Sequence, residues 1–391
     1  MNKFDHIKKQ IEGLNPDFST EQVSLKDAFN RILQEDVYAD TDMPPFDKSA
    51  MDGYACREAD IHNELELLEI INAGSVPQKE IGRNQCSKIM TGAKVPKGAD
   101  LVFKVEDSEA TDGNRIKCTN PGSVKNICYQ GEDYSSGTIL IPKGTIINVS
   151  HMAVLAGAGY NQVMVSKMPG VALINTGSEL VEPSEMPQEG KIRNSNGSQL
   201  VSQLKQMKLS VTDLGIIEDD YEKLTNTFKG AFEKNDIVFF TGGASVGDFD
   251  WIPKILKDQG FQIYWDRTGI KPGNPMTFSQ KGNKYCFGLS GNPVSSLVQF
   301  ELLAKPALYK LLGAKYKPLR MQVKLNFTIQ RKKADRIGIV PVLINEEGLV
   351  DQIPFNGSAH INALVFANAL MEFPAGEFNL KKGESVYVRP L

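Results

Sequence analysis

VALINTGSEL, residues 171–180, decides the fold. Its uncharged start reads as a strand buried on both faces, because a half-buried strand alternates apolar and polar positions. Downstream, Leu200, Leu204 and Met207 fall at i, i+4 and i+7, the spacing of one helix face. VTDLGII (211–217) reads as a second strand, and Leu224, Phe228 and Ala231 mark the helix after it. DIVFFTGG (236–243), a short helix from about Asp250, FQIYW (261–265), a hairpin around Met276–Leu289 and a long helix from Pro293 continue the alternation. Strands alternating with helices predict a largely parallel sheet covered on both faces, a three-layer α/β domain whose ligands bind beyond the carboxyl ends of the strands.

On the N-terminal side, Phe4, Ile7 and Ile11 have helical spacing, and a second helix is expected around Asp27–Leu33. TDMPPFDKSAMDGYA (41–55) then combines Pro44, Pro45 and Gly53 with several aspartates, the composition of an ordered loop. Short apolar runs between Gly, Pro and Asn from Leu65 to about Leu140 predict a small β-rich module, and residues 146–159 return to a helix-like pattern. After Gly313 the period changes: Met321, Val323, Leu325, Phe327 and Ile329 alternate with polar residues, as in a half-buried strand. A β-rich tail follows, with one helix expected near Ile361–Leu370.

Composition excludes several functions. At 391 residues the chain has room for two to four domains, and its net charge of -3 comes without a basic stripe of the kind that tracks nucleic acid. No apolar run approaches a membrane span, and MNKFDHIKKQ lacks the apolar stretch of a secretory signal, so a cytoplasmic protein without a membrane partner is expected. The five cysteines form no CxxC pair and read as reduced, buried thiols. The four histidines sit in no zinc-hydrolase or serine-triad pattern. Carboxylates, lysines and glycine-rich backbone are left to do any chemistry.

Those groups cluster where the predicted strands end. Thr176-Gly-Ser-Glu179 follows the first strand, and Asp219 and Asp220 follow the second. TGGASVGDFD (241–250) offers glycine backbone to a phosphate and Asp248 and Asp250 to a cation, while LSGNP (289–293) sets Gly291 before a helix that opens on Pro293. Lys271, in KPGNP, adds an ammonium. Each piece alone has a plainer reading: Gly-Gly as a turn, either aspartate as a helix cap, Lys271 as a solvated surface group. PPFDKSAMDGYA packs Asp47, Ser49 and Asp52 into six residues, more than a turn ordinarily uses. Together these loops indicate a phosphate-containing ligand with a divalent cation.

PPFDKSAMDGYA (44–55), MTGAKVPKGAD (90–100), GEDYSSG (131–137), NTGSEL (175–180), TGGASVGDFD (241–250), KPGNP (271–275) and LSGNPVSS (289–296) resemble, in order, the motifs of the molybdopterin molybdenumtransferase family. The resemblance covers almost the whole chain. It implies a multidomain α/β protein: a helical N-terminal segment (1–45 and 140–168), an inserted β-rich module (46–139), a three-layer α/β molybdopterin-binding domain (169–313) and a C-terminal β-barrel (314–391). It further implies insertion of molybdenum from molybdate into adenylated molybdopterin with release of AMP, magnesium as cofactor, a homodimer with shared clefts, and contact with the molybdopterin adenylyltransferase. By position it makes Asp52, Glu179, Asp219, Asp250 and Lys271 catalytic, with Asp219 and Asp250 on the metal. Thr91, Asp133, Thr176, Gly242, Gly243, Ser245, Gly247, Gly273, Gly291, Asn292, Pro293 and Ser358 become substrate-binding.

Two departures share a theme. The family's KPGKP is KPGNP here, so Asn274 stands in a lysine position, and in the tail Arg336 is kept while Pro341 takes the place of a second arginine. LSGNP likewise has Ser290 for the family's first proline. The oxyanion end is therefore expected to be short of positive charge and to bind molybdate weakly. Two rival activities follow from the same residues: a paralogue that binds molybdopterin or the finished cofactor without inserting metal, and a molybdopterin adenylyltransferase, which the α/β domain alone would permit.

Overall fold

The computed structural model describes residues 2–122, 125–243 and 251–391. The chain forms two compact units, Met1–Glu35 with Lys143–Val149 and Gln162–Leu391, and Asp36–Pro142 with Ser150–Asn161.

In the first unit, β1 (Gly170–Thr176), β2 (Ser210–Ile217), β3 (Ile237–Thr241), β4 (Gln262–Arg267), β5 (Pro275–Lys281) and β6 (Lys284–Leu289) form one sheet in the order β2-β1-β3-β6-β5-β4. β1 is parallel to β2 and β3, and β3 to β6, while β5 and β4 finish the edge antiparallel. The helices are α1 (Lys3–Glu12), α2 (Ser195–Gln206), α3 (Tyr221–Lys234), α4 (Trp251–Asp258) and α5 (Pro293–Gln299). Val171 and Leu173 of β1 pack with Phe4 of α1, Leu200 of α2 and Val294 of α5. Their neighbours Ala172 and Ile174 pack with Leu224 and Phe228 of α3 and Ile252 of α4. Helices thus cover both faces, which is why these strands carry no alternation. Phe239 stacks on Phe287 at 4.8 Å between ring centroids, and burying a side chain of this size stabilises by about 1.5–3 kcal/mol.

Three local expectations fail and a fourth is met with an irregularity, each for a visible reason. Around Asp27–Leu33 there is only a 3-10 turn, Leu25–Asp27; Asn30 takes φ +63°, and Ile32 and Leu33 then form bridges to Ile146 and Val165. The N-terminal segment is accordingly mixed, joining α1 to an antiparallel pair, Thr20–Ser24 with Gln162–Ser166. The long helix from Pro293 forms and runs to Leu311, with a wide π turn at Phe300–Ala304, where Pro306 has no N–H to return to the Leu302 carbonyl, before α6 (Lys305–Leu311). Near Ile361–Leu370 only Ala363–Phe366 is helical. Asn368 exchanges side-chain hydrogen bonds with the Ile344 backbone, and Leu370 belongs to a strand. The long strand expected over Met321–Ile329 stops at Lys324, and Ile329–Gln330 pairs elsewhere, with Asn379–Leu380.

The tail sheet runs β8-β10-β11-β7, from β7 (Met321–Lys324), β8 (Ile337–Ile344), β10 (Ala369–Phe373) and β11 (Ser385–Pro390), with β9 (Val350–Gln352) on the other side of β8. Ile270 and Lys271 pair in parallel with Ile337 and Gly338 of β8, which brings the KPGNP loop to the tail.

The second unit holds the β-rich module as a six-stranded sheet in the order Leu101–Lys104, Gly53–Cys56, Gln85–Ile89, Glu64–Ile71, Arg115–Cys118, Ser108–Thr111. Tyr54, Cys56, Cys86, Phe103 and Cys118 share its core. All five cysteines are free thiols; four are buried, and burial pushes Cys86 up to about 12. Among the described residues no helix is long and apolar enough to cross a membrane.

Candidate active site

A cavity of about 1300 Å³ opens where the parallel strands end. Each supplies part of its wall: Thr176 at the end of β1 and Glu179 beyond it, Asp219 after β2, Gly242 and Gly243 after β3, and Gly291, Asn292 and Pro293 after β6. The far wall comes from the tail, including Ser358, and from Lys271 and Gly273. Every one of these was singled out in the sequence. Ser245, Gly247, Asp248 and Asp250 lie outside the described residues.

The paired aspartates after β2 do different work. Asp220 is the N-cap of α3, its carboxylate accepting the Lys223 N–H at 2.8 Å. Asp219 turns into the cavity. The Thr176 hydroxyl donates to its Oδ1, the Ser178 N–H to its Oδ2 at 3.1 Å, and Trp251 Nε1 to its main-chain oxygen at 3.3 Å. The carboxylate is thus held in one orientation with lone pairs to spare. Replacing Asp220 with alanine should cost about 1 kcal/mol in a urea titration, the usual value of a lost cap, and leave ligand binding in the cavity unchanged.

Beneath this rim lies a buried amide network. Thr241 Oγ1 donates to Asn175 Oδ1 at 3.0 Å, and Asn175 Nδ2 donates to Asp213 Oδ1 at 3.1 Å. Glycine is required at position 242, where φ is +89° and an added Cβ would lie 2.0 Å from the Thr176 carbonyl oxygen. The Lys271 side chain is exposed and has no hydrogen bond or ion pair among the described residues. The Val294 N–H donates to the Ser358 carbonyl at 3.0 Å, which fixes the tail's Ser358 against the first turn of α5.

Three contributors escaped the sequence reading. Gln299, fully buried on α5, accepts from the Ser290 N–H at 2.8 Å and donates to the carbonyls of Gly273 at 3.0 Å and Pro275, so one amide ties LSGNP to KPGNP. Asn194 and Asn196 stand at the start of α2. Asn194 caps the Gly197 N–H at 3.0 Å, and Asn196 Nδ2 donates to the Gly291 carbonyl at 2.8 Å, while its buried Oδ1 has no partner among the described residues. NSNGS before an apolar helical pattern was a legible cap signal; Gln299 left none. The third is the run Arg331-Lys332-Lys333, which lines the same cavity.

Asp52, Thr91 and Asp133 belong to the second unit. Asp52 Oδ1 accepts both the Thr91 hydroxyl and the Thr91 N–H, each at 2.7 Å, whereas Asp133 is an exposed turn residue anchored through its own N–H to the Met43 carbonyl at 3.0 Å. The density of polar groups in PPFDKSAMDGYA has a local explanation after all. Asp47 accepts the Gln130 N–H, Ser49 closes a turn on Met51, and Asp52 clamps Thr91. The two Thr91 hydrogen bonds lower the Asp52 pKa below its ordinary 3.8. A lowered carboxylate stabilises the folded loop above the unfolded pKa and loses that contribution as pH falls through the folded value. Exchange of the Thr91 amide hydrogen should therefore stay protected down to about pH 4 and rise only below it, and Asp52→Asn should remove that acid dependence.

Among the described residues no group of three or more His, Cys, Asp or Glu side chains could hold a metal. A divalent cation of the magnesium type nonetheless suits Asp219, because such ions take one or two carboxylates and complete their shell with water and substrate phosphate.

Family models match the chain along its length: MoeA N-terminal region (domain I and II) over residues 3–159, probable molybdopterin binding domain over 172–310, and MoeA C-terminal region (domain IV) over 323–391. The molybdopterin molybdenumtransferase of Staphylococcus epidermidis is 36% identical over 97% of this chain and 93% of its own length. That of Staphylococcus aureus is 37% identical over 93% of this chain and 89% of its own. Among solved structures, the molybdopterin biosynthesis moeA protein of Pyrococcus horikoshii superimposes with a TM-score of 0.85 at 31% identity, over 100% of both chains.

Proposed function

The chain belongs to the molybdopterin molybdenumtransferase family and is an enzyme of molybdenum cofactor biosynthesis, and we propose that it couples insertion of molybdenum from molybdate to release of AMP from adenylated molybdopterin in the cavity above β1, β2, β3 and β6. The observation that carries this reading is the Asp219 carboxylate, fixed by Thr176 and Ser178 beside the Gly242-Gly243 turn in a cavity of about 1300 Å³. A pterin joined to a nucleotide through two phosphates needs a cavity of that size. Cleaving its phosphoanhydride needs positioning and charge neutralisation more than covalent catalysis.

In this reading the glycine turns after β3 and β6 offer backbone N–H groups to the phosphates, Lys271 neutralises charge, and Asp219, with Asp250, holds the cation. Bound magnesium would supply Lewis-acid stabilisation of the phosphoanhydride oxygens. Glu179, exposed at the rim, would orient the attacking water. Asp52 and Thr91 would contribute a substrate loop to the cleft of the other subunit in the homodimer. The protein would act as a homodimer and receive its substrate by contact with the molybdopterin adenylyltransferase. The tail would be a barrel, a reading supported by the Leu325–Val350 bridge from the end of β7 to β9.

The test is incubation of purified protein with adenylated molybdopterin, magnesium and molybdate, following AMP and protein-bound metal. AMP release with metal incorporation is the expected result. Binding without AMP release would instead identify a cofactor-binding paralogue, and adenylation of free molybdopterin from ATP an adenylyltransferase.

A further inference from the structure

The cavity is more cationic than its motifs require. Arg193, Lys271, Arg331, Lys332, Lys333 and Arg336 line it, against the carboxylates of Glu179 and Asp219, and the latter already accepts two hydrogen bonds. Residues 331–336 form a turn between Ile329–Gln330 and β8. Arg331 anchors that turn. Its Nε donates to the Glu377 carbonyl at 2.7 Å, Nη1 to the Arg336 carbonyl at 2.8 Å and Nη2 to the Pro374 carbonyl, with the guanidinium 4.3 Å from the centre of the Phe373 ring. Arg336 is paired with Asp335 at 3.1 Å. Lys332 and Lys333, both exposed, have no side-chain hydrogen bond or close ion pair among the described residues, though the Lys333 charge acts on the neighbouring Asp335 carboxylate.

The two positions where the resemblance expects cations are spoken for. Asn274 Oδ1 accepts the Gly269 N–H at 3.0 Å and the Asn274 carbonyl accepts the Thr268 N–H at 2.8 Å, so the residue closes its own turn. Pro341 lies in β8 opposite Leu370. The same cavity therefore lacks charge at 274 and 341 and carries two ammonium groups free of close ion pairs on a turn that Arg331 holds in place.

We infer that Lys332 and Lys333, with Lys271, form the subsite for a tetrahedral dianion, the molybdate of the reaction proposed above, on which the inference rests. Ammonium groups are compact donors that suit an oxyanion without demanding the planar, two-pronged geometry of arginine. The expectation of weak molybdate binding, drawn from Asn274 and Pro341 alone, is replaced by one in which the missing charge arrives from a neighbouring turn.

The experiment compares the native protein with Lys332→Gln/Lys333→Gln, using Lys381→Gln/Lys382→Gln, an exposed pair elsewhere in the tail, as the control for general charge. Molybdate alone is titrated calorimetrically, without pterin or turnover. The first variant should bind it about 100-fold more weakly, roughly tenfold per charge-assisted contact, and the control should match the native protein. In turnover the KM for molybdate should rise while kcat and the KM for adenylated molybdopterin hold. Equal molybdate binding by native protein and first variant would overturn the inference, as would a rise confined to the KM for adenylated molybdopterin, which would assign the lysines to its phosphates. If the native protein binds molybdate but inserts no metal, the proposed function fails, and the binding comparison alone still decides the subsite.

Discussion

Asp219→Ala should lower AMP release by about three orders of magnitude, equivalent to about 4 kcal/mol of transition-state stabilisation. The side chain is both a negative charge facing the cavity and the acceptor that orders Thr176 and Ser178. Removing it strips the proposed cation of a ligand and frees the turn after β1. Asp219→Asn separates the two contributions, because the amide keeps one acceptor and loses the charge. Its thermal midpoint should return close to the native value while turnover stays low at every magnesium concentration. Native turnover in the alanine variant across a magnesium titration would remove Asp219 from the reaction.

Gly242→Ala should be the most damaging single-methyl change in the α/β domain, costing about 3–5 kcal/mol in a urea titration. The new Cβ would lie 2.0 Å from the carbonyl oxygen of Thr176, at a φ of +89° that L side chains avoid. Neither backbone can yield without parting β1 from β3 at their carboxyl ends. Gly243→Ala is the graded comparison. There φ is +58° and the contacts are side-chain atoms, Thr176 Cγ2 at 3.2 Å and Ile252 Cδ1 at 3.3 Å, so about 1–2 kcal/mol is expected. Equal midpoints for the two variants would show that the turn can relax around a methyl group.

The parts of this molecule that were legible in the sequence are those whose partners repeat. VALINT and IVFFT read as strands because helices bury both of their faces, and the loops after them read as a site because all the parallel strands end on one side. Spacing says nothing about a residue whose partner is distant. The pattern over Asp27–Leu33 is compatible with a helix until Asn30 enters the left-handed region and Leu33 finds Val165. The apolar run Leu364–Leu370 suits a helix until Asn368 pairs with Ile344 across the tail sheet. At the site, Asp219 and Asp220 were indistinguishable as letters; only the directions of their carboxylates separate cavity wall from cap. The RKK run carried no motif, because its meaning depends on Arg331 fastening the turn to carbonyls more than forty residues away.

The single buried amide of Gln299 has a consequence for how ligands are sensed. Its oxygen holds the Ser290 N–H and its nitrogen holds the carbonyls of Gly273 and Pro275, so neither loop can shift without breaking a hydrogen bond that has no water to replace it. The two loops are therefore ordered when the chain folds, and a ligand meeting one of them finds the other already immobile. Neither ligand then has a loop left to order for the other, so both sides are pre-organised, and the affinity of one should not depend on occupancy of the other through loop ordering.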